Sequence, residues 1–287
     1  MAEETNREEL INKKKNKKTE KPEMSFLDHL EALRWHIIRS AIAICVFSII
    51  AFIEKDFIFN SIIFAPKNPE FWTNRMLALL ADQVGIDSLK INTHELNLIS
   101  ISMSGQFMVH IWTAIVAGLI IASPYVIYQF WSFISPALYE EERKYASGAV
   151  FYMSLLFFLG ILFGYFLIVP LSVDFLGTYS ISDVVINQIN VLSYISTVTS
   201  IVIAGGVVFE LPIVAFFLSK VGILTPAFMK KYRKHSYVVL LILSAIITPP
   251  DIFSQIMVCI PLAILYEVSI VISSRVQKAN QRKIDEI

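Results

Sequence analysis

SYVVLLILSAIITPPDIFSQIMVCIPLAILYEVSIVI, residues Ser236 to Ile272, decides how many times this chain crosses a membrane. Two apolar runs, Ser236 to Ile247 and Ile256 to Ile272, flank the break Thr248-Pro249-Pro250-Asp251. Two successive prolines remove two backbone donors, and an aspartate is costly in hydrocarbon unless it lies at an interface. The break therefore reads as a turn at a membrane surface and the two runs as a hairpin of short spans, in preference to one kinked helix. Working outward, four further runs, Ile37 to Ile53, Phe107 to Phe130, Ala146 to Val169 and Ile195 to Leu218, meet the roughly 17 to 25 apolar residues that a crossing helix needs. The expectation is an all-α integral membrane protein with six transmembrane helices, the fifth and sixth short.

Composition agrees. Hydrophobic residues fill 55% of the 287 positions and the mean hydropathy is +0.62, above the roughly 45–50% apolar usage of soluble domains. Twenty-four basic and 24 acidic side chains cancel, which argues against a nucleic-acid partner and leaves the message in their placement. On the six-span reading, 19 Lys and Arg fall on the side of both termini. The other side holds only Lys55, Lys67, Arg75 and Lys90. Basic loops stay cytoplasmic, so both termini are expected inside, and one span fewer would put the last basic cluster outside. Cys45 and Cys259 each lie in an apolar run, read as small core residues and not as a disulfide or thiolate metal site.

Residues 1–24 form a basic cytoplasmic tail with six lysines between Lys13 and Lys21 and no cleavable-signal pattern, either plainly disordered or resting on anionic headgroups. The membrane domain is expected over 25–275 and a second cytoplasmic tail over 276–287. Ser25 with Asp28 three residues on looks like a helix start, and Phe26, Leu30, Leu33 and Ile37 share one face of a short amphipathic lead-in, with Asp28, Glu31 and Trp35 on the other. The third run ends at Pro170 yet apolar residues continue to Phe175, so a kink is expected there. Between 56 and 100, Phe71, Trp72, Leu77, Leu79 and Leu80 suggest a small amphipathic cap on the outer face. No internal repeat is evident, which weighs against an inverted-repeat transporter.

Intramembrane ionisable residues are the sharpest chemical signal, because a carboxylate at mid-bilayer costs roughly 2.5–3.5 kcal/mol on insertion scales. Glu210 sits in Gly205-Gly206-Val207-Val208-Phe209-Glu210-Leu211-Pro212. Glycines permit close helix approach and Pro212 frees a carbonyl, so a polar pocket fits there. Equally, Glu210 could be protonated and bonded to a neighbouring helix. Glu140, Glu141 and Glu142, followed by Arg143, form an acidic ledge at the start of the third span. Such a ledge suits a guanidinium ligand, although first-turn carboxylates also complement a helix dipole with no ligand at all. Glu31 and Arg34 fit a plain i,i+3 pair as well as a site. No Gly-x-Ser-x-Gly, phosphate loop or histidine pair at i,i+4 occurs, and His94-Glu95 lacks a second metal-spaced histidine. No enzyme, cofactor or metal is expected.

Four segments in order carry a resemblance. Phe26-Leu27-Asp28-His29-Leu30-Glu31-Ala32-Leu33-Arg34, Phe130 through Arg143, Phe209-Glu210-Leu211-Pro212 and Thr248 through Gln255 resemble the N-terminal motif, first cytoplasmic loop, fourth span and last outer turn of the TatC subunit of the twin-arginine protein translocase. The resemblance covers about Ser25 to Arg275. It implies a bacterial inner-membrane receptor for folded precursors with paired-arginine signal peptides, exported by the proton-motive force with TatA- and TatB-type small membrane subunits in homo- and hetero-oligomers. By similarity, Glu142 contacts the signal arginines, with Phe133, Pro136, Leu138, Tyr139 and Arg143 shaping the same surface and Glu31 and Arg34 beside it. Glu210 matches a buried glutamate of the concave face, and Pro249, Asp251 and Gln255 match the outer turn and partner contact. One departure is that Ala32 stands where the family usually has glutamate, with Glu31 one residue earlier. The alternative is a proton-coupled small-solute secondary transporter in which Glu210 titrates; an intramembrane protease lacks its motifs.

Overall fold

The computed structural model describes residues 26–93, 96–135, 146–182, 184, 187–220, 222–248 and 252–285. The amphipathic lead-in and the first span are one continuous helix, α1 (Phe26–Ile53). With no helix breaker between Phe26 and Ile53, nothing in the chain separates the two. Of the apolar stripe, Leu30 and Ile37 are exposed and Leu33 is half-buried, and the face turned to the neighbouring helix carries His29, Ala32, Leu33 and His36, each half-buried. Beyond Ile53 come a π-helical turn (Phe57–Ile63), a short 3-10 turn (Ala65–Lys67) and α2 (Trp72–Val84). Gly85 ends α2 in the left-handed conformation at φ 72°, as helix C-termini favour. α3 (Gly105–Ile134) then runs antiparallel to α1, with Gly118 against the Ser48 backbone.

α4 (Ala146–Phe163) passes through a π-helical turn (Gly164–Ile168) into α5 (Val169–Thr178), so the third span does continue past Pro170. Proline at 170 has no N–H to give the Phe166 carbonyl. The Thr73 hydroxyl of α2 donates to that carbonyl instead. Pro124 inside α3 is handled alike, because Ser123 Oγ donates to the Ile120 carbonyl at 2.7 Å. In hydrocarbon such freed carbonyls need a protein donor.

Asn190 accepts from the Leu192 N–H at 2.9 Å and so caps α6 (Val191–Phe209). α7 (Leu211–Lys220), α8 (Pro226–Lys231), α9 (Arg233–Ile247) and α10 (Ile252–Asp285) complete the chain. α9 and α10 pack as an antiparallel hairpin, with Gln255 Nε2 donating to the Leu241 carbonyl at 3.2 Å near one end and Tyr237 meeting Glu267 near the other. Among the described residues five helical segments are long and apolar enough to cross a membrane. α9, with 15 residues, is shorter than these, whereas α10, expected to be short as well, runs over 34 residues and carries one of the five. A multi-pass α-helical membrane protein is the result.

The largest core joins α4, α5 and α6 to the ends of α1, α3, α9 and α10, with Ile168, Val169, Ile195, Val198 and Leu262 sealed from solvent. α4 crosses α6 at Gly160, where a Cβ would lie 2.3 Å from the Gly205 carbonyl oxygen, and Gly164 lies one turn further along the same contact. Cys45 is exposed on the outward face of α1, with Ile42, Val46 and Ile49, and Cys259 is half-buried. The expectation of two core cysteines is corrected for Cys45. Side chains of an outer span face lipid, where an apolar thiol needs no packing partner.

The segment between α1 and α3 is tied down by buried amides. Asn74 Nδ2 donates to the Pro66 and Asn68 carbonyls at 3.1 and 2.7 Å. Asn92 donates through Nδ2 to Asn74 Oδ1 and the Pro170 carbonyl, and through its N–H to Asp174 Oδ1 at 2.6 Å. Asn92 holds φ 49°, a conformation asparagine tolerates better than alanine. A two-residue parallel pairing, Leu98–Ile99 (β1) with Ile189–Asn190 (β2), joins this segment to the start of α6. Replacing Asn92 by alanine removes the two Nδ2 bonds, leaves the N–H bond to Asp174 and strains the backbone, so Asn92→Ala should cost about 2–3 kcal/mol. Thermal denaturation in detergent measures it, and Asn92→Gly should recover only the backbone part.

Candidate functional site

Two separated pieces of sequence meet where α1 begins and α3 ends. The His29 ring stacks on Phe133, with centroids 4.4 Å apart and planes 25° off parallel, and His36 meets the edge of the same ring at 6.1 Å. His36 Nδ1 lies 2.6 Å from Oε1 of the buried Gln129. His29, Leu33 and His36 recur at the spacing of one helical face, and antiparallel packing brings that face to the last turns of α3. His36 is thus a hydrogen-bonded contact residue and His29 a stacked one.

Glu31 lies about 200° round the helix from His29, by the 100° step per residue, and is exposed, as is Arg34. Ala32 is half-buried on the α3 side. Pro136, Leu138, Tyr139, Glu142 and Arg143 lie outside the described residues, as do Pro249 and Asp251. Phe133 is half-buried, and Ser135, the last described residue before that segment, is buried.

Glu210 marks the break between α6 and α7. Its N–H donates to the Val207 carbonyl at 3.2 Å, while its own carbonyl accepts from Ile213 and Val214. Pro212 cannot donate to Val208, so the helix bends at this point. The bend passes the chain from one packing unit to another. α6 belongs to the large core, whereas α7 joins α8 and α10 through Ala215, Met229 and Ile270 and through a buried Ser219–Ser273 hydrogen bond of 2.7 Å. Neither carboxylate oxygen of Glu210 reaches the surface or finds a hydrogen-bond partner among the described residues.

A third polar cluster holds the α9–α10 hairpin. Arg233 pairs with Glu267 at 2.5 Å, and the Tyr237 hydroxyl donates to the other carboxylate oxygen at 2.5 Å. Ser236 donates to the Tyr266 hydroxyl, which donates to the Met229 carbonyl. Glu267 lies within the sixth apolar run and went unread in the sequence, although the signal that singled out Glu210, a carboxylate among apolar residues, was present there too. Among the described residues no three His, Cys, Asp or Glu side chains converge to hold a metal.

Comparison with known proteins places these features in a family. Residues 28–261 match the family described as Sec-independent protein translocase protein (TatC). The chain is 41% identical over 263 residues to the Sec-independent protein translocase protein TatC of Blattabacterium sp. subsp. Periplaneta americana, covering 91% of this chain and 99% of that one. It is 33% identical to TatCy of Bacillus subtilis, covering 91% and 92%. A crystal structure described as the twin arginine translocase receptor TatC superposes with TM-score 0.63 at 34% identity, over 87% of this chain and 99% of that one. The same receptor in the detergent DDM superposes with TM-score 0.66, over 85% and 99%.

Proposed function

The chain belongs to the TatC family of Sec-independent protein translocases, and on that footing we propose that it is the membrane receptor for folded precursors bearing paired-arginine signal peptides. Its role lies in twin-arginine translocation and involves no bond-making step. The observation that carries the receptor reading is the His29–Phe133 stack with its His36–Gln129 companion. It joins the N-terminal motif to the residue that leads into the acidic loop, so the two motifs form one cytoplasmic surface.

On this reading the signal arginines pair with Glu142, on a surface shaped by Phe133, Pro136, Leu138, Tyr139 and Arg143, with Glu31 and Arg34 on its flank. Guanidinium groups favour such carboxylates because they bond in a bidentate fork. The exposed position of Glu31 serves a peptide arriving from the cytoplasm, not one wedged between α1 and α3. The apolar part of the signal then lies along the spans toward Glu210. Pro249, Asp251 and Gln255 form the outer turn that contacts TatA- and TatB-type subunits, and the proton-motive force drives export.

The same reading makes α9 the short fifth of six spans. It puts both termini in the cytoplasm of a bacterium, with 25–275 as the membrane domain in the inner membrane and 1–24 and 276–287 as tails. Glu142→Ala is expected to abolish photocrosslinking from positions neighbouring 142 to an arginine-pair precursor, while the protein still inserts. Unchanged crosslinking in that variant would remove Glu142 from the site.

A further inference from the structure

α2 presents an apolar stripe that no other element among the described residues covers. Steps of 100° per residue place Trp72, Met76, Leu79, Leu80 and Gln83 within an arc of about 100°. The four apolar members are all exposed. The opposite face is buried, with Asn74 bonded to Pro66, Asn68 and Asn92 and Ala81 sealed from solvent. Asn92 in turn holds Pro170 and Asp174 of α5. The stripe therefore looks away from the bundle.

Its depth follows from contacts between spans. Gly164 lies against Ile201 and Val202, Trp112 donates to Thr199 at 3.1 Å, and His110 stacks on Phe52 at 3.8 Å. These pairings put the 164–166 turn, the 199–202 turn, His110 and Phe52 at one level. Immediately beyond that level the chain turns polar, at Glu54, Lys55 and Asp56 on one side and at Gln106 on another. Along α1 and α3 this level is the margin of the apolar span, and α2 starts on it. Thr73 donates to the Phe166 carbonyl, and the Trp72 ring meets Phe166 edge-on at 6.1 Å.

We infer that α2 is an interfacial anchor whose Trp72–Met76–Leu79–Leu80 stripe beds in the adjacent leaflet of the lipid bilayer. The stripe continues the lipid-facing surface of the spans, where Ile49, Phe107 and Trp112 are also exposed. Tryptophan at the rim of the hydrocarbon is where its amphipathic ring is favoured. Arg75, two-thirds exposed at the edge of the stripe, lies 3.9 Å from the Glu70 carboxylate and leaves its remaining N–H donors open to headgroup phosphates. Lys90 is held on the far rim by Asp82 and Asp87, each at 2.9 Å, and these bonds raise its amine above the ordinary lysine range.

The full chain carrying Cys45→Ala and Cys259→Ala tests this, with a bimane label at Leu79→Cys, in nanodiscs holding one copy. Lipids carrying a nitroxide near the top of the acyl chain should quench that label several-fold more than one at Glu70→Cys, and aqueous iodide should reverse the order. Met76→Cys should repeat the Leu79 result, which guards against a local disturbance at one position. Equal lipid quenching at positions 70 and 79, or full iodide access at 79, would overturn the anchor. So would a copy-to-copy disulfide through unlabelled Leu79→Cys, which would give the stripe to a second copy of this chain.

Discussion

Gly160→Ala is expected to be among the most damaging single-methyl changes in this protein. The new Cβ would stand 2.3 Å from the Gly205 carbonyl oxygen, 2.8 Å from its carbonyl carbon and 2.8 Å from the Gly206 Cα. All three are backbone atoms of α6, so no side chain can swing away and the helices themselves must part. Overpacking typically costs about 1–3 kcal/mol where side chains can adjust. Here the cost should reach or exceed the top of that range. Separation at Gly160 would also loosen Gly206 against Phe157 and Gly164 against Ile201 along the same crossing. In lipid the effect is sharper, because helix association rests on close packing and not on a hydrophobic drive. Thermal unfolding of the purified protein in detergent reads the loss. Gly148→Ala, whose Cβ would meet only Tyr152 at 3.9 Å, is the control expected to change nothing. If both variants unfold at the wild-type temperature, the α4–α6 crossing is not as tight as described.

Glu210→Leu should move stability and transport in opposite directions. Two carboxylate oxygens without surface or a partner among the described residues forgo hydrogen bonds that water would supply, and an unsatisfied buried polar group costs about 1–3 kcal/mol. Leucine is of similar bulk and leaves no such deficit, so the melting temperature should rise. Export of an arginine-pair precursor should fall, since the proposed role of Glu210 needs its carboxylate at the α6–α7 bend. Glu210→Gln, with the shape kept and the acid removed, should stay near wild-type stability and still lose export. Sites that hold a destabilising group for function behave in this way. A lower melting temperature for the leucine variant would mean instead that Glu210 is held by a partner in the bundle.

Much of the architecture was legible because a membrane imposes simple demands. Apolar runs of sufficient length had to become helices, since no other backbone satisfies its own polar groups in lipid. Hence the four long spans, the Pro249–Pro250 separation of α9 from α10, the continuation past Pro170 and the amphipathic α2 all follow from composition and proline placement. The Gly205–Gly206 pair announced a close approach. Four ordered motifs were enough to indicate the family.

What the sequence could not supply is which surfaces meet. Gly160 and Gly164 sit at interface spacing, yet their partner, residues 201–206, lies some 40 positions away along the chain. The face of α1 that packs is the one bearing His29 and His36, because α3 offers Phe133 and Gln129 to it; hydrophobic periodicity alone left lipid and a neighbouring span as alternative settings for Leu30 and Ile37. Glu267 stood out among apolar residues as Glu210 did, but its partners Arg233 and Tyr237 are set only by the hairpin. In lipid every apolar face is equally acceptable to the solvent, so amphipathicity cannot select the packed one. That choice falls to shape, small residues and polar pairing, which exist only once the helices are side by side.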